Sequence, residues 1–341
     1  MQKFMKLFSK FVFLIIVSNM LWACNNKVDI NSDYRDIAIV YGLLDPSEKQ
    51  HFIKLTKAFQ ADGNVYIAAS DGTISQYDPK DIKMWIDEYS NGNFIRTISL
   101  DTVLVINKDS GAFYHPNQIV YATPLNTILN ANNEYRLQIE NKSTGKTING
   151  QTNIIHDFNV NKPNSNQKYV GLTSSLPQTV EWSSAVNGLL YQLNIRFFYT
   201  EVDGNGNKSV HHVELPFGTE KSNSTLGGEK MVLEFYGETF YQNMAAKVSL
   251  PSAGMKRYAD SLYYIFTVAD ENFSIYMDLN KPSTGIVSER PSYTNIENGI
   301  GIFAGRYNKK RTFLGLSPSS IDTLISGQYT NQLGFVKYIA P

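Results

Sequence analysis

Between residues 37 and 158, hydrophobic positions recur mostly at every second residue, in short runs broken by turn-forming residues, a pattern of half-buried strands. Ile37-Ala38-Ile39-Val40-Tyr41-Gly42-Leu43-Leu44 is a run of nearly continuous β-formers, stopped by Asp45-Pro46-Ser47. His51 to Thr56 then alternates, so the two predict a hairpin. Over 82–89 the period puts Ile82, Met84 and Ile86 on one face and Lys83, Trp85 and Asp87 on the other, and Asn91-Gly92 turns the chain into the strand 94–100. The stretch 135–140 alternates throughout and ends in a turn over 142–145. About seven such strands without a long amphipathic helix predict an immunoglobulin-like or fibronectin-like β-sandwich over 36–158. Two segments break the rhythm: 60–80, with its short apolar piece Val65-Tyr66-Ile67-Ala68-Ala69, and 111–123, with His115-Pro116. Long loops of this kind are where binding concentrates.

Residues 159–168 have almost no apolar content and no period, and predict a linker. Beyond it lies a second domain, 169–341, of a different kind. Its longest strand, 189–200, places Leu189, Tyr191, Leu193, Ile195, Phe197 and Tyr199 on one face, and mixes Gln192, Asn194 and Arg196 with Phe198 on the other. Asp203-Gly204-Asn205-Gly206-Asn207 turns it back as the strand 209–215, and further strands follow at 230–235 and 262–268. Tyr241, Met244, Ala245 and Val248 recur at helical spacing. Asp270 suits the N-cap of a helix carrying Phe273, Tyr276 and Met277, and Ser317-Pro318 suits the start of another carrying Ile321 and Leu324. The expected fold class is therefore mainly β: a sandwich followed by a β-rich α+β domain with about three short helices.

The N-terminus adds an address. Lys3, Lys6 and Lys10 precede a continuous apolar block over 11–17, too short to span a bilayer as a mature helix, so residues 1–23 predict a signal peptide. Leu21-Trp22-Ala23-Cys24 resembles the bacterial lipobox, in which the thiol is acylated and the chain is cut just before it. Acylation at Cys24, the one cysteine, leaves no free thiol for a disulfide, a nucleophile or a metal. Long acyl chains add about 0.8 kcal/mol of membrane affinity per buried methylene, so two or three hold the protein essentially permanently. Residues 24–35 then form a lipidated tether. Cleavage removes three lysines and no acid, leaving 28 basic against 31 acidic residues in about 318, which is no footprint for nucleic acid. That length also exceeds what one core usually serves, consistent with two domains.

Candidate chemistry is sparse. Gly145-Lys146-Thr147 imitates the end of a phosphate-binding loop, but Glu140 stands where the earlier glycine is required. Ser143 and Lys146 have a serine-x-x-lysine spacing, yet flank a turn between strands. Asp203, Asn205, Asn207, Ser209 and Glu214 fall on the ligand positions of a calcium loop, while Lys208 takes the place that needs glycine. A solvated hairpin tip and a calcium site both remain open there. His211 and His212 are adjacent in a strand and point to opposite faces, and His51, His115 and His156 are scattered. The pairs Asp87-Glu88 and Asp270-Glu271 offer no glycosidase geometry. No catalytic residue, metal or cofactor is nominated. Trp85 and Tyr121 are the candidate aromatics for stacking on a sugar, against ordinary cross-strand packing.

Cys24, the strand Ile39-Val40-Tyr41-Gly42-Leu43-Leu44 and the late run Tyr293-Thr294-Asn295-Ile296-Glu297-Asn298-Gly299-Ile300-Gly301-Ile302-Phe303 resemble a family of Bacteroidota lipoproteins catalogued as a domain of unknown function. Its members are often encoded beside TonB-dependent receptors. The resemblance implies a non-catalytic accessory or scaffold subunit, lipid-anchored in the outer membrane, with an outer-membrane β-barrel protein as partner: a TonB-dependent receptor or assembly machinery. Placement on the cell surface is expected over the periplasmic face. The alternative is a surface binding protein that captures a carbohydrate or peptide for a TonB-dependent transporter. In the late run, Gly299 and Gly301 bracket Ile300, which predicts a turn into a strand whose backbone approaches something closely. Sheet packing and a docked ligand or partner both fit, so Asn295, Gly299, Gly301 and Phe303 are the candidate binding or interface residues.

Overall fold

The computed structural model describes residues 35–61, 64–106, 117–172, 176–281 and 292–337. The leader, Cys24, the tether as far as residue 34 and the His115-Pro116 pair lie outside the described residues. The described chain is mainly β with five helices, and one large curled sheet of twelve strands serves two hydrophobic cores.

In the first lobe β1 (Ala38–Leu44), β2 (Phe52–Lys57), β3 (Ile82–Ser90), β4 (Asn93–Val105), β5 (Gln118–Ala122), β6 (Glu134–Asn141) and β7 (Lys146–Asn153) pair in the order β1-β2-β5-β4-β3-β6-β7. Every pair is antiparallel. The period-2 pattern decides which side is dry. Tyr135, Leu137 and Ile139 of β6 and Met84 and Ile86 of β3 are buried together, while the residues between them face water. Asn91 and Gly92 take φ values of 48° and 80°, the left-handed pair a two-residue hairpin requires. β4 is long enough to serve two neighbours: residues 93–100 pair with β3 and residues 101–105 with β5.

The segment 60–80 is more ordered than its composition suggests. Two short helices, α1 (Val65–Ala69) and α2 (Gly72–Ser75), and the 3₁₀ turn Pro79–Asp81 are each started by a side chain, Asn64, Asp71 or Asp78, accepting the N–H two residues on. Of α1 only Ala69 is buried.

The second lobe is built from β8 (Val160–Lys162), β9 (Tyr169–Val170), β10 (Pro177–Ser183), β11 (Leu190–Val202), β12 (Lys208–Lys221), β13 (Lys230–Tyr236), β14 (Lys256–Ala269), β15 (Ile296–Glu297), β16 (Gly299–Phe313) and β17 (Gly315–Leu316). Its helices are α3 (Gly237–Lys247), α4 (Glu271–Asn280) and α5 (Pro318–Ser326), the three the sequence predicts. Phe240, Tyr241 and Met244 are the buried stripe of α3. The Asp270 carboxylate accepts the Phe273 N–H at 2.8 Å to cap α4, and Ser317 with Pro318 opens α5. β13-β10-β8 form a small sheet whose Trp182 is fully buried, 5.3 Å from the Phe266 ring and 5.7 Å from that of Tyr191 on the large sheet.

The stretch predicted as a linker differs from that reading. Residues 160–162 are a strand on β10, and Phe158 just before them packs against Tyr191 and Phe266. A short strand with one wet face and few apolar residues has the composition of a connection. The lobes are also joined a second time, by β16. Its first half pairs parallel with β1, Ala38 opposite Gly299 through Leu44 opposite Gly305, and its second half pairs antiparallel with β14. Phe303 and Ile296 consequently belong to the first lobe's core, although they lie far beyond residue 158 in sequence.

Candidate binding face

The four candidate residues of the late run are drawn inward. Asn295 works as a strand surrogate at the edge of the sheet: its Oδ1 accepts the Phe303 N–H at 2.9 Å, and its Nδ2 donates to the Phe303 carbonyl at 2.6 Å and to that of Gln151 on β7 at 3.3 Å. β15 also pairs with β7, so the Asn295 side chain ties this edge of the sheet to β16. Phe303 is fully buried. Gly301, at φ +110°, lies so near β1 that a Cβ would sit 2.0 Å from the Val40 carbonyl oxygen, and one on Gly299 would sit 2.9 Å from that of Ala38. The close approach predicted from the glycines is therefore to β1.

Other sequence candidates are also occupied. Asp203 accepts the Asn205 and Asn207 N–H groups at 2.9 and 2.8 Å, and the hydrogen bonds from Asn207 hold its carboxyl below the usual range. Glu214 is ion-paired with Arg196. Tyr121 is buried, which removes it as a stacking platform, while Trp85 bonds Asp87 and lies under Lys83 at 5.0 Å. His211 contacts Glu201 at 3.2 Å, and His212 faces the other way, toward Phe198. Of the pair Asp87-Glu88, only Glu88 is buried. Burial pushes its carboxyl up, but hydrogen bonds from Asn133, Arg96 and Tyr135 outweigh this and hold it below the ordinary value.

What the second lobe offers is the solvent face of its large sheet. Alternation along β11 sends Leu193, Ile195 and Phe197 into the core and leaves Asn194, Arg196 and Phe198 outside. The register then sets Pro216, Glu214 and His212 of β12 on one side of them and Ile265 and Tyr263 of β14 beside Asn194 and Arg196 on the other. Lys310 of β16 lies opposite Ile265. The Phe198 ring is 4.8 Å from that of Tyr263 and 5.6 Å from that of His212, and the Lys310 ammonium sits 4.8 Å from the centre of the Tyr263 ring. Beside these rings, Asn194, Arg196, Glu214, Pro216, Ile265 and Lys310 line a shallow groove of about 620 Å³ that ends at Glu48 and Lys247. From Glu48 a second hollow of about 480 Å³ continues over Arg306 to His51, Tyr41 and Phe52 of the first lobe.

The joint beneath this groove is polar and fully bonded. Asp45, buried, accepts from Arg306 at 3.2 Å and from the Asn308 amide at 2.7 Å, and Thr267 donates to Asn308 at 2.9 Å. Burial lowers the pKa of His51, whose Nε2 lies 3.3 Å from the Thr127 carbonyl oxygen. Arg196 and Glu214, Thr267 and Asn308, and Asn308 and Asp45 pair with one another rather than converging on a point.

Asp270, behind the face, ties the lobes together. Its Oδ2 accepts the Gly305 N–H of β16 at 2.6 Å and the Thr152 hydroxyl of β7 at 3.0 Å, while its Oδ1 caps α4. Burial pushes its pKa up to about 6, against the lowering pull of these hydrogen bonds. Because the folded pKa lies above the unfolded one, Asp270 contributes stability that is fully present below about pH 4 and lost as pH rises through 6. Wild type should therefore lose on the order of 3 kcal/mol relative to Asp270→Asn between pH 4 and pH 7. Urea unfolding of both proteins at the two pH values checks this, and parallel profiles would count against a raised pKa.

Compared with protein-family profiles and with curated proteins, the chain matches none.

Proposed function

We propose that the chain is a lipid-anchored, non-catalytic accessory subunit that scaffolds an outer-membrane β-barrel protein, and that the solvent face of the second lobe is its docking surface. The observation that carries this reading is the composition of that face. Tyr263, Phe198 and Arg196 are of the residue types that anchor protein interfaces, and they stand half-exposed on one sheet face, the two rings 4.8 Å apart and Arg196 lining the groove beside them. The Cys24 motif and the resemblance of the late run support the anchor and the outer-membrane setting, on the cell surface. The ladder orders β1-β2-β5-β4 and β4-β3-β6-β7 further support reading the first lobe as an immunoglobulin-like sandwich in which β4 passes from one sheet to the other.

The test is a pull-down of the C-terminally tagged protein from its native membranes in mild detergent. A β-barrel protein is expected at stoichiometric yield, and Tyr263→Ser combined with Lys310→Glu is expected to weaken its capture about tenfold or more. Recovery of the protein alone after crosslinking would sink the proposal. Resistance of the protein in intact cells to added protease would overturn the cell-surface placement.

A second reading is favoured by the aromatic trio Phe198, His212 and Tyr263. Rings flanked by Arg196, Asn194 and Lys310 suit stacking and hydrogen bonding to a carbohydrate or a peptide captured for a transporter. Saturable binding in a glycan and peptide screen, abolished by Tyr263→Ser, would favour it over the scaffold.

A further inference from the structure

We infer that the tether end of the first lobe is a membrane-contact surface, and that it rests on the bilayer holding the acyl anchor. The inference builds on the lipid anchor proposed above and adds an orientation to it. Strand directions place the start of β1, the end of β2, the start of β5 and the end of β4 at one end of the lobe: Ala38 pairs with Lys57, Phe52 with Ala122, and Gln118 with Val105. The chain enters at this same end, where Asp36 accepts from the Tyr77 hydroxyl at 2.6 Å. Here the lobe departs from its own pattern. Val103, Leu104, Val105 and Ile106 are all exposed in sequence, although alternation should hide every second one, and Val65, Tyr66 and Ile67 of α1 are 56–74% exposed. Ile119, the strand neighbour of Leu104, lines a groove of about 390 Å³ together with Ile39, Phe59 and Gln76.

The length of chain ahead of β1 selects the occupant. From Cys24 to Ala38 the chain reaches no more than roughly 50 Å even when fully extended, so an acylated Cys24 keeps this end, rather than the far end, close to lipid. The anchor makes the contact intramolecular, and a modest apolar surface then suffices. An apolar patch enters the acyl boundary by burial, with the stems of Lys54 and Lys57 in the groove beside it.

Because the native thiol is acylated, a cysteine introduced at the surface can be labelled alone. The lipidated protein carrying Leu104→Cys, or Val210→Cys on the exposed edge of the second lobe, is labelled with an environment-sensitive fluorophore and reconstituted into phosphatidylethanolamine–phosphatidylglycerol vesicles with brominated acyl chains. The label at 104 is expected to shift to the blue and lose most of its emission to bromine, and the label at 210 to do neither. Mass spectrometry of the N-terminal peptide first establishes acylation, and its absence would fail the anchor reading independently. With acylation present, an unquenched label at 104 overturns the membrane contact. So does a blue shift that needs an added β-barrel protein, or that grows with the density of copies without bromine quenching, since either assigns the patch to a protein partner.

Discussion

Replacing Gly301 by valine is expected to unfold the first lobe under conditions where wild type is stable. The position combines two demands that no side chain meets. Its φ of +110° is one that L-residues with a Cβ rarely adopt, and the Cβ would be driven to 2.0 Å from the Val40 carbonyl oxygen, which is backbone and cannot rotate away. Relief requires parting β16 from β1, and with it the Asn295 clamp and the burial of Phe303. A loss of at least about 3 kcal/mol follows, a large share of a domain's total stability. Gly92→Ala is the control: it also has a positive φ, but nothing lies within 4 Å of its added Cβ, so a loss of about 1 kcal/mol is expected. The described tryptophans report on separate lobes, Trp85 on the first and Trp182 on the second, so urea unfolding followed by fluorescence locates the damage. Equal losses for the two glycines would refute the account of β16.

The same strand marks how far the sequence could be read. Alternation exposes β1, β2, β3, β6 and β11 with their inner and outer faces, because a period of 2 is local and burial acts on each residue in turn. The starts of α4 and α5 are legible for a related reason, since Asp270 and Ser317 satisfy N–H groups only a few residues away. The pairing of β1 with β16 joins residues some 260 positions apart and leaves no periodic trace. Gly299 and Gly301 signal that something comes close without saying what. The outer face of the second lobe was half visible: Phe198 stands out among Gln192, Asn194 and Arg196, whereas its contacts with Tyr263 and His212 depend on the register of three strands. Tyr121 misleads because an aromatic in an irregular segment has no pattern to place it, and β5 turns it into the core.

Substitution of Arg257 by methionine is expected to be the most damaging single change in the second lobe. The guanidinium is 2% exposed and holds three chain segments at once. Its Nε donates to Glu201 at the end of β11 at 2.8 Å, while one terminal nitrogen donates to the carbonyls of Ser249, beyond α3, and Leu333, in the C-terminal segment, both at 2.7 Å. The backbone repeats the tie, with Arg257 N–H donating to Gly334 and Val336 N–H to Arg257. Methionine keeps much of the volume but leaves the largely buried Glu201 with only His211 beside it, and takes the donor from the Ser249 carbonyl and from the buried Leu333 carbonyl. Breaking a buried pair from one side costs about 3–5 kcal/mol, most of it the penalty of the stranded charge. Lysine restores the charge without the planar fork that serves three acceptors in different directions, so Arg257→Lys should fall between wild type and Arg257→Met. Arg257→Met together with Glu201→Gln should recover part of the loss, because the stranded carboxylate is gone. Trp182 fluorescence in urea reads each step, and limited proteolysis should find the segment after residue 327 cut first in Arg257→Met. If Arg257→Met unfolds at the wild-type midpoint, the C-terminal segment is held by the packing of Leu333 and Phe335 rather than by the arginine.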